Sequence, residues 1–213
     1  MIKGLLRTNA VWRLTGLTYA TAVMATQGHY ISKDDLRRVG EEEMKPFFPY
    51  FTAQSRVIEF GCGIGINLFG IADKIKTGYG MDINPFYIRI ANSLKKRYHM
   101  TNVEFLSYDG VHFPKLPKSD VIFEKGVFER IPQNQVKKYV CELKNNYLSE
   151  TGTMIMYFLT DRARGSEFTK RLGDEAYVFW DRFQINQLLK ECGLKWISTI
   201  SADFADFSIC KPV

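Results

Sequence analysis

From Arg56 onward the chain alternates between two hydrophobic rhythms. Short apolar runs, the length of strands, are separated by stretches in which apolar residues return at helical spacing. Arg56-Val57-Ile58-Glu59-Phe60 reads as a strand ending at Gly61, and 66–76 reads as a helix. Residues 78–82 form a second predicted strand. Asn84-Pro85 then opens a helix, with Asn84 as N-cap and Pro85 in the first turn. Its apolar face carries Phe86, Ile90 and Leu94, and Lys95, Lys96 and Arg97 suit its negative end. Strands are predicted at 103–106, 120–123 and 153–158, and helices at 133–145 and 184–191. Strands at 196–200 and 204–210 close the chain. Strands alternating with helices imply right-handed crossovers and a mostly parallel sheet. The last two strands have no helix between them, so they should form an antiparallel hairpin at the sheet edge. The polar stretch 159–183 interrupts the rhythm and reads as a lid-like insertion.

The first fifty residues follow a different pattern. Leu5, Leu6, Trp12, Leu14, Leu17 and Tyr19 are loosely helical in spacing. Ser32-Lys33-Asp34-Asp35 has the form of a helix-capping box, and Pro46 and Pro49 break the chain after it. Residues 1–50 are therefore expected to form an N-terminal helical cap, and 51–213 the main domain. Lys3, Arg7 and Arg13 precede an uncharged stretch, 14–32. Its Thr15, Gly16, Thr18, Gln27 and His29 make it too polar for a good spanning helix.

Composition narrows the class without choosing a function. The chain has 213 residues, 46% hydrophobic and 24% charged, which is ordinary for a globular domain. The net charge of +6 fits a solvated basic surface and selects neither nucleic acid nor a membrane. The four cysteines are widely spaced, with no Cys-x-x-Cys pair, and only three histidines are present. A structural zinc site or a disulfide scaffold is not expected, and reduced thiols in a cytoplasm are the simpler reading.

The informative stretch is Glu59-Phe60-Gly61-Cys62-Gly63-Ile64-Gly65, between the first strand and its helix. Glycines there permit a tight turn and close approach of a ligand to backbone N–H groups. The dinucleotide fingerprint fails, because its last glycine position is Ile66. The nearby carboxylate would repel a phosphate. The segment resembles the first motif of class I S-adenosylmethionine-dependent methyltransferases, in which an acid precedes alternating glycines. That ligand carries an ammonium and a sulfonium, both favoured by a nearby acid. The resemblance extends over 56–213. It implies a Rossmann-like three-layer α/β sandwich with a seven-stranded sheet, and S-adenosyl-L-methionine as cofactor. It assigns Glu59, Gly61, Cys62, Gly63 and Gly65 to the cofactor turn. Asp82, ending the second strand, would receive the ribose hydroxyls, with Ile83 against the adenine. Asp109-Gly110, after the third strand, would meet the adenine amino group. Glu124 ends the fourth strand beside the expected methyl group.

The acceptor side is less defined. Val127-Phe128-Glu129-Arg130-Ile131-Pro132 is similar to a stretch in many small-molecule and lipid methyltransferases, with Arg130 where they usually have histidine. Glu129 is the candidate for acceptor contact or proton transfer. In the N-terminal cap, His29 and Tyr30 are further candidates. The expected reaction is methyl transfer to an oxygen or nitrogen of a small molecule, one that could carry an anionic group. No metal-ligand cluster is evident. An RNA, protein or lipid acceptor, or a cofactor-binding subunit without activity, stays open at this point. Nucleic acid is disfavoured because no RNA-binding module is apparent. Arg7, Trp12 and Arg13 beside apolar residues would suit peripheral contact with a membrane.

Overall fold

The computed structural model describes residues 32–166, 169, 176–201 and 205–213. The expected helix over 5–19 and the candidates His29 and Tyr30 lie outside the described residues. Strands β1 (Arg56–Phe60), β2 (Thr77–Asp82), β3 (Val103–Ser107), β4 (Ser119–Glu124), β5 (Leu148–Leu159), β6 (Leu194–Ser201) and β7 (Ala205–Pro212) form one sheet. Their order is β3-β2-β1-β4-β5-β7-β6. β1 to β5 run parallel, β7 is antiparallel to β5, and β6 pairs antiparallel with β7 at the edge. The C-terminal hairpin is thus present, with its second strand on the inside.

Alternation along the strands splits the core into two layers. On β1, Val57 faces one layer and Ile58 the other. The first layer packs α1 (Lys33–Met44), α2 (Ile66–Ile71) and α3 (Pro85–Arg97) against the sheet. The second packs α4 (Gln133–Glu142), its π-helical extension Leu143–Tyr147 and α5 (Arg182–Glu191) against the other face. This is the expected three-layer sandwich.

The local start signals operate, with Ser32 as a simple N-cap in place of the expected reciprocal box. The Ser32 hydroxyl accepts from the Asp35 N–H at 3.0 Å and donates to the Asp35 carboxylate at 2.7 Å. Asn84 Oδ1 accepts from the Phe86 N–H at 3.0 Å. The described part of the N-terminal segment packs into the main core, where Leu36, Met44 and Phe47 join Val57 and Phe207. At its centre α1 crosses α2 with backbone against backbone. A Cβ built on Gly40 would stand 2.1 Å from the Ile66 carbonyl oxygen and 2.9 Å from Gly70 Cα. The end of α1 also reaches the ligand edge of the sheet, where Glu43 pairs with Lys125.

Three boundaries differ from expectation. The helix after the glycine turn ends at Ile71 and tightens into a 3-10 turn over Ala72–Lys74. The Asn102 amide explains this ending, since it donates to the free carbonyls of Ala72 (2.6 Å) and Ile75 (3.2 Å). β5 begins at Leu148, which pairs with Ser119, before the register shifts to join Thr153 with Val121. α5 starts at Arg182 because Asp181 and Gln184 form a reciprocal capping box.

The expectation of four reduced thiols is overturned. Cys141 and Cys192 form a disulfide, with Cα atoms 5.0 Å apart. α4 and α5 lie side by side on one face, which brings together cysteines 51 positions apart in sequence. Cys62 and Cys210 are free and buried. Among the described residues no helix is long and apolar enough to cross a membrane.

Candidate active site

The ligand crevice of an open α/β sheet lies at the carboxyl ends of its strands. Here β1 ends in the glycine turn. The N–H groups of Gly61 and Cys62 both point back to the Met81 carbonyl, at 2.7 and 3.1 Å, which locks the turn to β2. Gly61, Gly63 and Gly65 all have positive φ, at 77°, 53° and 85°. Their surroundings separate their roles. A side chain at Gly61 would strike Val127 Cγ2 at 2.1 Å, and one at Gly65 would strike the Phe105 ring at 2.5 Å. A side chain at Gly63 would meet nothing within 4 Å. Gly61 and Gly65 are thus required by packing, whereas Gly63 borders open space.

Two carboxyl groups flank this turn. Asp82 accepts from the Gly63 N–H at 2.9 Å on one oxygen and from the Asn84 N–H at 2.8 Å on the other. Each oxygen retains capacity for a second donor, as the two hydroxyls of a ribose would require. Burial raises the Asp82 carboxyl above its usual range, and the two backbone donors oppose that rise. Glu59 accepts from the Asn67 amide at 2.6 Å on Oε1, while its buried Oε2 has no hydrogen-bond partner. Burial pushes Glu59 up to about 8. An arriving ammonium would supply the missing partner and favour the ionised form. Asn67 was not foreseen. Its signal was the helical position just past the turn, facing a strand-end acid in need of a donor. Cys62 is buried within the turn, its thiol directed to the Gly63 carbonyl at 3.6 Å, and burial raises its pKa strongly.

After β3, Asp109 shapes its own loop. Oδ1 accepts from the N–H groups of Val111 (2.8 Å) and His112 (2.6 Å), and Oδ2 meets His112 Nδ1 at 2.6 Å. These bonds, the His112 N–H foremost, hold its carboxyl well below the usual range. Gly110, at φ 87°, packs under Ile83, with 3.0 Å from a built Cβ to Ile83 Cδ1. The Tyr139 hydroxyl anchors the Gly110 carbonyl at 3.1 Å. Ile83 and Gly110 therefore line one wall between β2 and β3.

The turn after β4 connects the glycine turn to the other half of the crevice. Glu124 accepts from the Tyr157 N–H at 2.6 Å and the Val127 N–H at 3.1 Å. Both oxygens hold backbone, and through Val127 they hold the residue packed on Gly61. Glu124 therefore frames the site, and burial pushes its carboxyl up to about 8. Glu129 is 4% exposed, and its Oε2 has no hydrogen-bond partner. Arg130 Nε lies 3.5 Å from its other oxygen. Burial pushes Glu129 up to about 7, opposed by the charge of Arg130. Tyr157 of β5 feels the fields of Glu129, Glu124 and Tyr177, and burial foremost raises its hydroxyl far above the usual value. Nothing in the sequence marked Tyr157, because a tyrosine within an apolar strand reads as core.

The described end of the insertion packs against the turn after β4 and the start of α4. The Val178 N–H donates to the Glu129 carbonyl at 2.7 Å, and Gln133 Nε2 donates to the Phe179 carbonyl at 2.8 Å. The insertion's described cations are engaged locally. Arg162 bonds Asp206 at 2.7 Å, and Arg164 bonds Asp161 at 2.7 Å while lying over Phe179. Glu167, Lys170 and Arg171 fall outside the described residues.

A sheet-end crevice with open space at Gly63, a bidentate acid and an unpartnered buried carboxyl fits a ligand with ribose hydroxyls and an ammonium. The comparisons agree. A methyltransferase-domain family model matches residues 51–198, and the chain belongs to that family. Its cofactor is S-adenosyl-L-methionine. Among solved structures, the PH0226 protein of Pyrococcus horikoshii is 20% identical with a TM-score of 0.67, over 83% of this chain and 91% of that one. An S-adenosylmethionine-dependent methyltransferase from Clostridium acetobutylicum is 13% identical with a TM-score of 0.67, over 95% and 99%. The magnesium protoporphyrin IX methyltransferase of Synechocystis, with bound S-adenosylhomocysteine, is 15% identical with a TM-score of 0.63, over 85% and 83%. These likenesses establish the shared fold. No curated protein matches the chain in sequence.

Proposed function

We propose that the chain methylates an oxygen or nitrogen of a small-molecule acceptor, with Glu129 taking the acceptor's proton. The observation that carries this reading is the Glu129 Oε2 atom, buried without a partner on the turn that also packs Gly61. When bound, S-adenosylmethionine supplies an electrophilic methyl group on a sulfonium that departs as a neutral thioether. Glu59, the glycine turn, Asp82, Ile83 and Gly110 would hold it. Glu129, poised near neutrality, can accept a proton from a hydroxyl or ammonium of the acceptor at physiological pH. Glu129 is buried, which limits the water that can reach it. The burial of Glu129 favours a small acceptor over a folded macromolecule.

Calorimetry with S-adenosylmethionine and S-adenosylhomocysteine, with NAD as control, tests the cofactor assignment. An acceptor screen then compares the wild type with Glu129→Gln. The variant should bind cofactor normally and lose most turnover, about 100-fold or more for a general base. Wild-type turnover in the variant would remove Glu129 from the chemistry.

A further inference from the structure

Three consecutive residues near the end of the insertion grip the two residues at the centre of the acceptor-side turn. Arg130 Nη1 lies 3.5 Å from the Ala176 carbonyl oxygen, and its guanidinium stacks 3.9 Å from the centre of the Tyr177 ring. The Val178 N–H donates to the Glu129 carbonyl at 2.7 Å. Tyr177 is itself packed among Leu159, Ala163, Phe179 and Ala205. A guanidinium suits this position because its flat face can lie on an aromatic ring while its edge reaches a carboxylate.

We propose that Arg130 is a positioning residue for the methyl transfer: seated on Tyr177, its charge beside Glu129 favours the carboxylate form and so couples docking of the insertion's end to the readiness of the base. This rests on the reading of Glu129 as the base. The groups around Glu129 make the assignment specific. From β4 comes Glu124 and from β5 Tyr157, and neither can bring positive charge. Lys125, on the same turn, is engaged by Glu43 of α1. Arg130 supplies the charge that opposes the desolvation of Glu129. Without it, a buried carboxyl among acids and phenols takes up a proton and can no longer accept one. Displacing Tyr177 removes the surface on which Arg130 is seated, so the condition of the base follows the docking of that segment.

The test titrates Glu129 directly in the full-length protein. Side-chain carboxyl carbons of glutamate are labelled with carbon-13, and the Glu129 signal is identified by its loss in Glu129→Gln. In Arg130→Gln the midpoint should rise by a pH unit or more, Arg130→Lys should restore part of the difference, and Tyr177→Leu should shift it in the same direction. The acid limb of kcat/KM should move with the midpoint, giving about a tenfold loss per pH unit below it, while affinity for S-adenosylhomocysteine stays unchanged. If Arg130→Gln does not fold, Tyr177→Leu carries the same titration. A midpoint unmoved by these substitutions, with Glu129→Gln inactive, would overturn the role of Arg130 and leave the base assignment standing. Full turnover in Glu129→Gln would overturn the base assignment, and the coupling with it, even if the midpoint moves.

Discussion

Gly40→Ala sets two effects of opposite sign against each other. Gly40 lies inside α1 with ordinary helical geometry, so propensity alone predicts that alanine stabilises the protein by about 1 kcal/mol. Packing predicts the reverse. The added methyl carbon would stand 2.1 Å from the Ile66 carbonyl oxygen and 2.9 Å from Gly70 Cα and N, where an ordinary contact is 3.4–4 Å. Backbone on the facing helix cannot swing aside as a side chain can, so α1 must lift by more than an ångström. Overpacking of this kind costs about 3 kcal/mol at the upper end of its usual range. The net expectation is a loss of about 2 kcal/mol, read from urea unfolding as a lower midpoint at unchanged slope. Gly70→Ala makes the same clash from the other side, with 2.1 Å to the Gly40 carbonyl carbon. The double variant should therefore cost less than the sum, since the first substitution already parts the helices. A Gly40→Ala protein as stable as the wild type, or more so, would refute the close crossing of α1 and α2.

Two further expectations follow. Gly63→Ala should cost only about 1 kcal/mol of stability, from its positive φ, yet weaken cofactor binding tenfold or more by calorimetry, whereas Gly65→Ala should destabilise the fold itself through Phe105. Glu129→Gln should become more stable than the wild type as pH rises. The folded carboxyl holds its proton up to about 7 where the ordinary value is 4.5, so the wild type loses stability between those values and the glutamine does not. The difference should reach about 3 kcal/mol by pH 8, at about 1.4 kcal/mol per pH unit. Parallel urea curves at pH 5 and 8 would contradict it.

The elements that were legible in the sequence are those decided by neighbours a few residues away. Ser32 and Asp35, or Asn84 and Pro85, settle a helix start between them. The glycine turn was legible because an acid and three glycines at fixed spacing constrain one short loop. What escaped was decided across space. The early end of α2 depends on Asn102, thirty residues from Ala72. Tyr157 comes within the field of Glu129 only when β5 lies beside β4. The backbone anchoring of Glu124, one N–H group on each oxygen, likewise depends on where β5 and the turn after β4 lie. Asp109 also organises its own loop through Val111 and His112. Composition could not pair Cys141 with Cys192, because their approach follows from two helices sharing one face of the sheet.

That cross-link gives the acceptor side a closed outline. Between Cys141 and Cys192 the chain runs through β5, the insertion and α5, so the covalent ring encloses the whole insertion. Both ends of the insertion are thereby stapled to the rigid frame. A protease cut within the insertion would leave two fragments still joined, which separate on a gel only after reduction. The spacing of α4 and α5, which carry the ring, is thereby fixed covalently as well as by packing.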